Sequence, residues 1–346
     1  MRAVVLRRHG GLDALVEESR ADPSPAHGEA VVRVDTVAVN RLDCLVRENR
    51  GHAYQARLPL IPGYDVAGEV VALGPGAAPV RVGDEVYVHY DYSCGRCAAC
   101  FDGDESLCPD YGIMGVDRDG GYAELVLAPV ANLFALPEGL APRVAAAAGS
   151  VSLTAHHMLF ARGGLRAGET VLVMASGSGV GGAAMQLAAW AGARVVATAG
   201  TAAKRAQALA GGADVAVDYT QPGWSEVVRD ATGGRGADLV IDHTGAEQFG
   251  EVLRAVGPRG RVVVCGATSG AAASIDLVDL FARQTSIIGS SDGTRAELLT
   301  VLDLLAAGTL APAIDGVLPL AGAREAQRRL EAREHDGRLL LAPGAA

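Results

Sequence analysis

The stretch VLVMASGSGVGGAAMQLAAWA, from Val171 to Ala191, constrains this chain more than any other. Its apolar opening, Val171–Met174, has strand length, Ser176–Gly179 is a turn, and from Val180 the residues are small and helix-compatible. A strand that turns into a helix through glycines leaves backbone N–H groups unpaired at the helix N-terminus, where they attract anions. Gly177, Gly179 and Gly181 permit the tight turn, the close approach of a pyrophosphate and the packing of helix on strand, with Ser178 and Val180 between them. An ordinary strand–helix connection can carry glycines too. With a second strand following, the pattern reads as a dinucleotide site.

From Val151 onward, strands at Val171–Met174, Arg194–Ala197, Val215–Val217, Asp238–Ile241, Arg261–Val264 and Ser286–Ile288 alternate with helical stretches such as Lys204–Leu209 and Phe249–Ala255. Six short strands with helical crossovers imply an α/β domain over 151–288, a doubly wound parallel sheet. Thr244, Gly266 and Ser290 fall at carboxyl ends of strands, where a ligand lies. The second strand selects the cofactor. An NAD site places Asp or Glu about 20 residues past the glycine turn. Here Ala197-Thr198-Ala199-Gly200-Thr201 holds no acid, and Lys204 and Arg205 follow. A missing carboxylate spares a 2′-phosphate repulsion and the cations attract it, which favours NADPH over NADH.

Residues 1–150 lack that alternation. Ala3–Leu6, Ala30–Val39, Val66–Leu73, Glu85–His89 and Tyr122–Leu127 read as strands of a mostly β module. The helix at Ala296–Ala306, strand Val317–Leu320, helix Arg324–Arg333 and strand Arg338–Leu341 are expected to return to it, so that module takes 289–346 as well. Cys94, Cys97, Cys100 and Cys108 crowd one loop. Four thiolates at that spacing can close a tetrahedron on Zn²⁺, a sphere with no open position and therefore a structural one. Disulfides are the alternative, disfavoured in a chain with no export signal. Cys44 and Cys265 read as small core residues. The formal charge of −10 argues against a nucleic-acid partner. With no apolar run near ~20 residues and no leader, no membrane partner is expected and the location reads as cytoplasmic.

On these residues the chain resembles the medium-chain dehydrogenase/reductase superfamily, closest to the quinone oxidoreductase-like branch of the zinc-type alcohol dehydrogenases. The resemblance rests on Val39-Asn40-Arg41-Leu42-Asp43, Pro62-Gly63-Tyr64-Asp65-Val66-Ala67-Gly68, the four cysteines, Leu153-Thr154-Ala155, Ser178-Gly179-Val180-Gly181, Gly212-Ala213-Asp214 and Asp218-Tyr219. It implies a GroES-like catalytic domain, a Rossmann domain, and a homodimer or homotetramer. It also implies cofactor contacts from Thr154, Thr201, Lys204, Tyr219 and Arg338.

The sequence departs from the family where the family binds its catalytic zinc. The positions matching those Cys, His and Cys-or-Asp ligands are Asn40, Tyr64 and Ser150, so a catalytic zinc is not expected. His52, His89, His156 and His157 match no family ligand. Without a Lewis acid, charge on a ketone oxygen falls to hydrogen-bond donors, whereas an activated C=C spreads it by conjugation. The expected reaction is NADPH-dependent reduction of a small electrophile, a quinone or electron-poor alkene. By the resemblance Tyr54 is the hydrogen-bond donor or proton source, Asn40 orients the carbonyl, Asp43 fixes the loop, and Tyr64 lines the pocket. A carbonyl or imine reductase, or a biosynthetic alcohol dehydrogenase-like enzyme, is the alternative within enzymes. An NADPH-binding structural or regulatory protein without turnover is the alternative of another class.

Overall fold

The computed structural model describes residues 1–50 and 56–345. The chain divides into two compact units, one formed by Met1–Ser150 with Leu302–Ala346 and the other by Val151–Val301. The return to the first unit therefore comes later than the residue 289 expected from sequence.

The second unit is built on one sheet of six strands, every pairing parallel. Its order is Val215–Val217, Arg194–Thr198, Thr170–Val173, Ala237–Asp242, Val256–Val264, Ser286–Gly289. Numbered along the chain this is 3-2-1-4-5-6, two halves diverging from the first strand. That strand and its neighbours are apolar without alternation, because helices cover both faces: Val171, Leu172, Val173, Val195, Val196, Leu239, Val240 and Ile241 are all fully buried. Trp224, Phe249 and Val252 supply much of one covering layer.

The first unit is antiparallel in the main. Strand Glu29–Ala38 pairs on one side with Asp65–Leu73 and on the other with Arg338–Ala342, while Leu125–Pro129 also pairs with its amino-terminal half. The closing strand Arg338–Ala342 thus completes this sheet, as expected. The segment Gly120–Tyr122 does not join the strand foreseen at Tyr122–Leu127. Its N–H groups bond to the carbonyls of Ile61, Gly63 and Pro62 instead. Polar residues after the strand, which read as a loop, form a helix, Arg41–Glu48. Asp43 explains it: its carboxylate accepts from the N–H of Asn40 at 2.8 Å and so caps the first turn.

Among the described residues one helix, Pro142–Arg162, is long and apolar enough to cross a membrane, which the sequence reading did not foresee. Of its most apolar window 72% is buried inside the protein, as in a core helix.

Candidate functional site

The parallel sheet gathers its loops at one end. After Val173 the chain passes through Ala175 in the left-handed region, φ 46°, and Ser178 then caps the helix Gly179–Trp190. The Ser178 hydroxyl oxygen accepts from the Gly181 N–H at 3.0 Å. A Cβ on Gly181 would stand 2.4 Å from the Ala175 carbonyl oxygen, so the turn closes only over glycine. Among the described residues the N–H groups of Gly177, Gly179 and Val180 have no partner, leaving a cradle of donors. Thr244, Gly266 and Ser290 lie just past the ends of neighbouring strands of the same sheet. Thr244 is held by Asp242, whose Oδ1 accepts from its N–H at 2.7 Å and its hydroxyl at 2.6 Å.

The end of the second strand carries the expected cluster. Thr201 caps the helix Ala202–Ala210, its hydroxyl oxygen accepting from the Lys204 N–H at 3.2 Å. The Lys204 side chain lies across Gly177, where a Cβ would come 2.9 Å from its Cδ. Tyr219 stands beside Gly200, its hydroxyl 3.5 Å from where a Cβ there would be. Arg205 is engaged elsewhere, paired with Asp218 at 2.8 Å. Lys204, unlike Arg205, has no ion-pair partner among the described residues. Thr154, in the helix Pro142–His156, is half-buried.

In the first unit, strand register assembles a buried polar cluster. Ala38 pairs with Asp65 and also with Leu340, so Asn40, Asp65 and Arg338 are brought together at one end of three adjacent strands. Asp65, with no exposed surface, is surrounded by donors. Asn40 Nδ2 donates to it at 2.9 Å, the Ser150 hydroxyl at 2.5 Å, the Ser150 N–H at 3.1 Å and the Tyr87 hydroxyl at 2.8 Å. The Arg338 guanidinium lies 3.3 Å away and donates to Asn40 Oδ1 at 2.7 Å and to the Ala147 carbonyl at 2.8 Å. Burial, then the charge of Asp65, raises the Tyr87 hydroxyl well above its ordinary range, so it stays protonated and donates. Arg338, implied as a cofactor contact, has its charge directed to Asp65.

Asp43 sits beneath this cluster. Burial pushes its carboxyl up to about 7, against the pull of the Asn40 N–H and of the Tyr122 hydroxyl, which donates to it at 2.9 Å. Tyr64 is half-buried, its ring edge-on to Tyr90 at 5.0 Å. Tyr54 lies outside the described residues, as does His52. Neither His156 nor His157 is a spare ligand: both face Glu297, at 3.1 and 2.8 Å, and despite its burial these bonds hold that carboxyl well below the usual range.

The sulfurs of Cys94, Cys97, Cys100 and Cys108 all lie within 4.8 Å of one another. Cys108 Sγ also accepts from the N–H groups of Cys94 at 3.3 Å and Asp110 at 3.4 Å.

The chain matches two family models, the alcohol dehydrogenase GroES-like domain over residues 26–138 and zinc-binding dehydrogenase over residues 179–307. An alcohol dehydrogenase of Geobacillus stearothermophilus is 31% identical over 92% of this chain and 93% of its own length. A quinone oxidoreductase of Rattus norvegicus is 29% identical over 94% of this chain and 92% of its own. Among solved structures, an NAD-dependent alcohol dehydrogenase superposes with a TM-score of 0.95 at 43% identity, covering 99% of this chain and 100% of that one. A zinc-binding dehydrogenase of Sinorhizobium meliloti 1021 bound to NADP superposes with a TM-score of 0.88 at 26% identity, covering 99% of each chain. The chain is a medium-chain dehydrogenase/reductase. Its two units correspond to the GroES-like and Rossmann-like parts of that fold.

This medium-chain dehydrogenase/reductase has residues that fit two of the groups its family carries. The glycine cradle at 177–181 fits the pyrophosphate of a nicotinamide dinucleotide, and the four cysteines fit a structural zinc. They do not fit a catalytic zinc. Asn40, Tyr64 and Ser150 offer an amide, a phenol and a hydroxyl, and the amide and the hydroxyl are already bonded to Asp65. The cluster around Asp65 is what sequence reasoning missed. Its signal was present in Asp65 itself, an acid opening a strand whose next residues, Val66, Ala67 and Gly68, carry no polar side chain.

Proposed function

We propose that this enzyme reduces a quinone or an electron-poor C=C, transferring hydride from NADPH with no metal ion over the acceptor. The observation that carries this reading is the donor set at Asn40, Tyr64 and Ser150, with Arg338 rather than a metal supplying the positive charge beside Asp65. The bound nicotinamide supplies the hydride. The protein must then stabilise the charge left on the acceptor with hydrogen bonds, each worth about 2.7–4 kcal/mol. That suffices more readily for an enolate or hydroquinone, where conjugation spreads the charge, than for the alkoxide of a simple ketone. Both ends of the Asn40 amide are spent on Arg338 and Asp65, so we assign substrate hydrogen bonding to Tyr64 and Tyr54.

The preference for NADPH is supported by the absence of an acid at Ala197–Thr201 and by Lys204, whose charge has no ion-pair partner among the described residues. Replacing Lys204 with Ala is expected to raise KM for NADPH about tenfold, equivalent to about 1.4 kcal/mol, and to leave KM for NADH unchanged. Equal effects on both cofactors would refute the assignment.

A panel of cyclohexenone, a benzoquinone, cyclohexanone and a cyclic imine, each with NADPH and with NADH, tests the reaction. Turnover of the enone or quinone with little on cyclohexanone is the expected result. Comparable turnover of cyclohexanone would favour the carbonyl-reductase reading, which the alcohol dehydrogenase names among its relatives support. We further propose that the chain is a homodimer or homotetramer. The exposed row Leu277, Val278 and Phe281, on the helix leading into the open-edge strand Ser286–Gly289, supports this. Light scattering at micromolar concentration that returned the 35.3 kDa monomer would refute it.

A further inference from the structure

We propose that His243 is a positioning residue for the dinucleotide: it holds the Ser178 hydroxyl so that its proton faces the incoming pyrophosphate. The inference rests on the glycine turn being the dinucleotide site. His243 follows the strand Ala237–Asp242, adjacent in the sheet to the strand that feeds the turn. Its Nε2 lies 3.1 Å from the Met174 carbonyl oxygen and 3.0 Å from the Ser178 hydroxyl oxygen. A carbonyl oxygen can only accept, so Nε2 carries the proton. That N–H is shared between Met174 O and Ser178 Oγ.

The hydroxyl oxygen of Ser178 now has both lone pairs occupied, one by the Gly181 N–H and one by His243. Its own proton is left to point away from both, toward the open side where the N–H groups of Gly177, Gly179 and Val180 are unpaired. The anion cradle thus gains a side-chain donor beside its backbone ones, and a hydrogen bond to a charged phosphate oxygen is of the stronger kind. Without His243 the hydroxyl can rotate and spend its proton on the Met174 carbonyl. Burial also lowers the imidazole's affinity for a second proton, so the ring acts here as a neutral donor.

The test is the dissociation constant of whichever of NADPH and NADH binds more tightly, read from cofactor fluorescence. Beside it runs the binding of adenosine 2′-phosphate, which has the purine and its ribose but no pyrophosphate. His243→Phe is expected to weaken the dinucleotide about tenfold and leave the fragment unchanged. His243→Gln, which puts an N–H near the place of Nε2, should recover most of that loss, and Ser178→Ala combined with His243→Phe should bind no worse than Ser178→Ala alone. Equal weakening of dinucleotide and fragment, or a His243→Phe variant that binds the dinucleotide as the wild type does, would overturn the proposal. A wild-type protein that binds neither dinucleotide would overturn the reading beneath it as well.

Discussion

Replacing Asp65 with Ala is expected to destabilise the first unit by about 3–5 kcal/mol, the cost of leaving one partner of a buried ion pair uncompensated. The carboxylate is fully buried and accepts from Asn40, Ser150 and Tyr87 while facing Arg338. Its removal strands a guanidinium that has only neutral partners left, at Asn40 and Ala147. Four further donors, from Asn40, Tyr87 and the hydroxyl and N–H of Ser150, lose their acceptor in a place water does not reach. Asp65→Asn should cost less, since the amide oxygen still accepts, but it keeps the charge of Arg338 unmatched. Pairing Asp65→Ala with Arg338→Met should recover part of the loss, because the stranded charge goes with its partner. Both tryptophans, Trp190 and Trp224, belong to the second unit, so their fluorescence would miss the effect. Urea unfolding followed by far-UV circular dichroism is the suitable probe. A shift of under about 1 kcal/mol for Asp65→Ala would show that the pair contributes little and that Arg338 is free for a phosphate.

That cluster marks the boundary of what could be read from residues alone. The parallel sheet was legible because its strands are short, apolar and separated by helices, and because glycines at 177, 179 and 181 announce a tight turn, one that at Gly181 no side chain would permit. The cysteine lobe was legible because spacing alone brings four sulfurs together. The network around Asp65 was not. Its members come from positions 40, 65, 87, 150 and 338; the register of Ala38 against both Asp65 and Leu340 gathers three of them, the pairing of Ala67 with Tyr87 adds a fourth, and a helix brings Ser150. Arg338 was implied only as a cofactor contact for the same reason, since a cation at a strand end carries no mark of the acid two strands away. The helix Arg41–Glu48 was hidden by its polar surface, and its cap, Asp43, became visible only with the bond to Asn40 N–H.

The cysteine lobe is expected to lose its structure without metal, and the purified chain to carry one zinc. Little else there could order it. The helix Ala98–Asp102 and the short turn of helix Glu105–Leu107 contain no buried residue, and Phe101 and Leu107 are 77% and 71% exposed. The elements converge on the four sulfurs rather than on an apolar core, so metal–thiolate bonds must provide the ordering energy. Structural zinc sites in small domains supply about 10–16 kcal/mol near neutral pH, far more than five helical residues can contribute. Cys97→Ser and Cys100→Ser should each reduce zinc content from one per chain to near zero. Arg96, exposed within the lobe, provides a second readout: trypsin should cut after it at least tenfold faster in the metal-free protein. Tight cofactor binding should survive, since the glycine turn belongs to the other unit. Zinc retained at one per chain in both variants would place the metal elsewhere. Two zincs per wild-type chain, only one of them lost with Cys97 and Cys100, would restore a metal to the substrate pocket and with it the chemistry of an alcohol dehydrogenase.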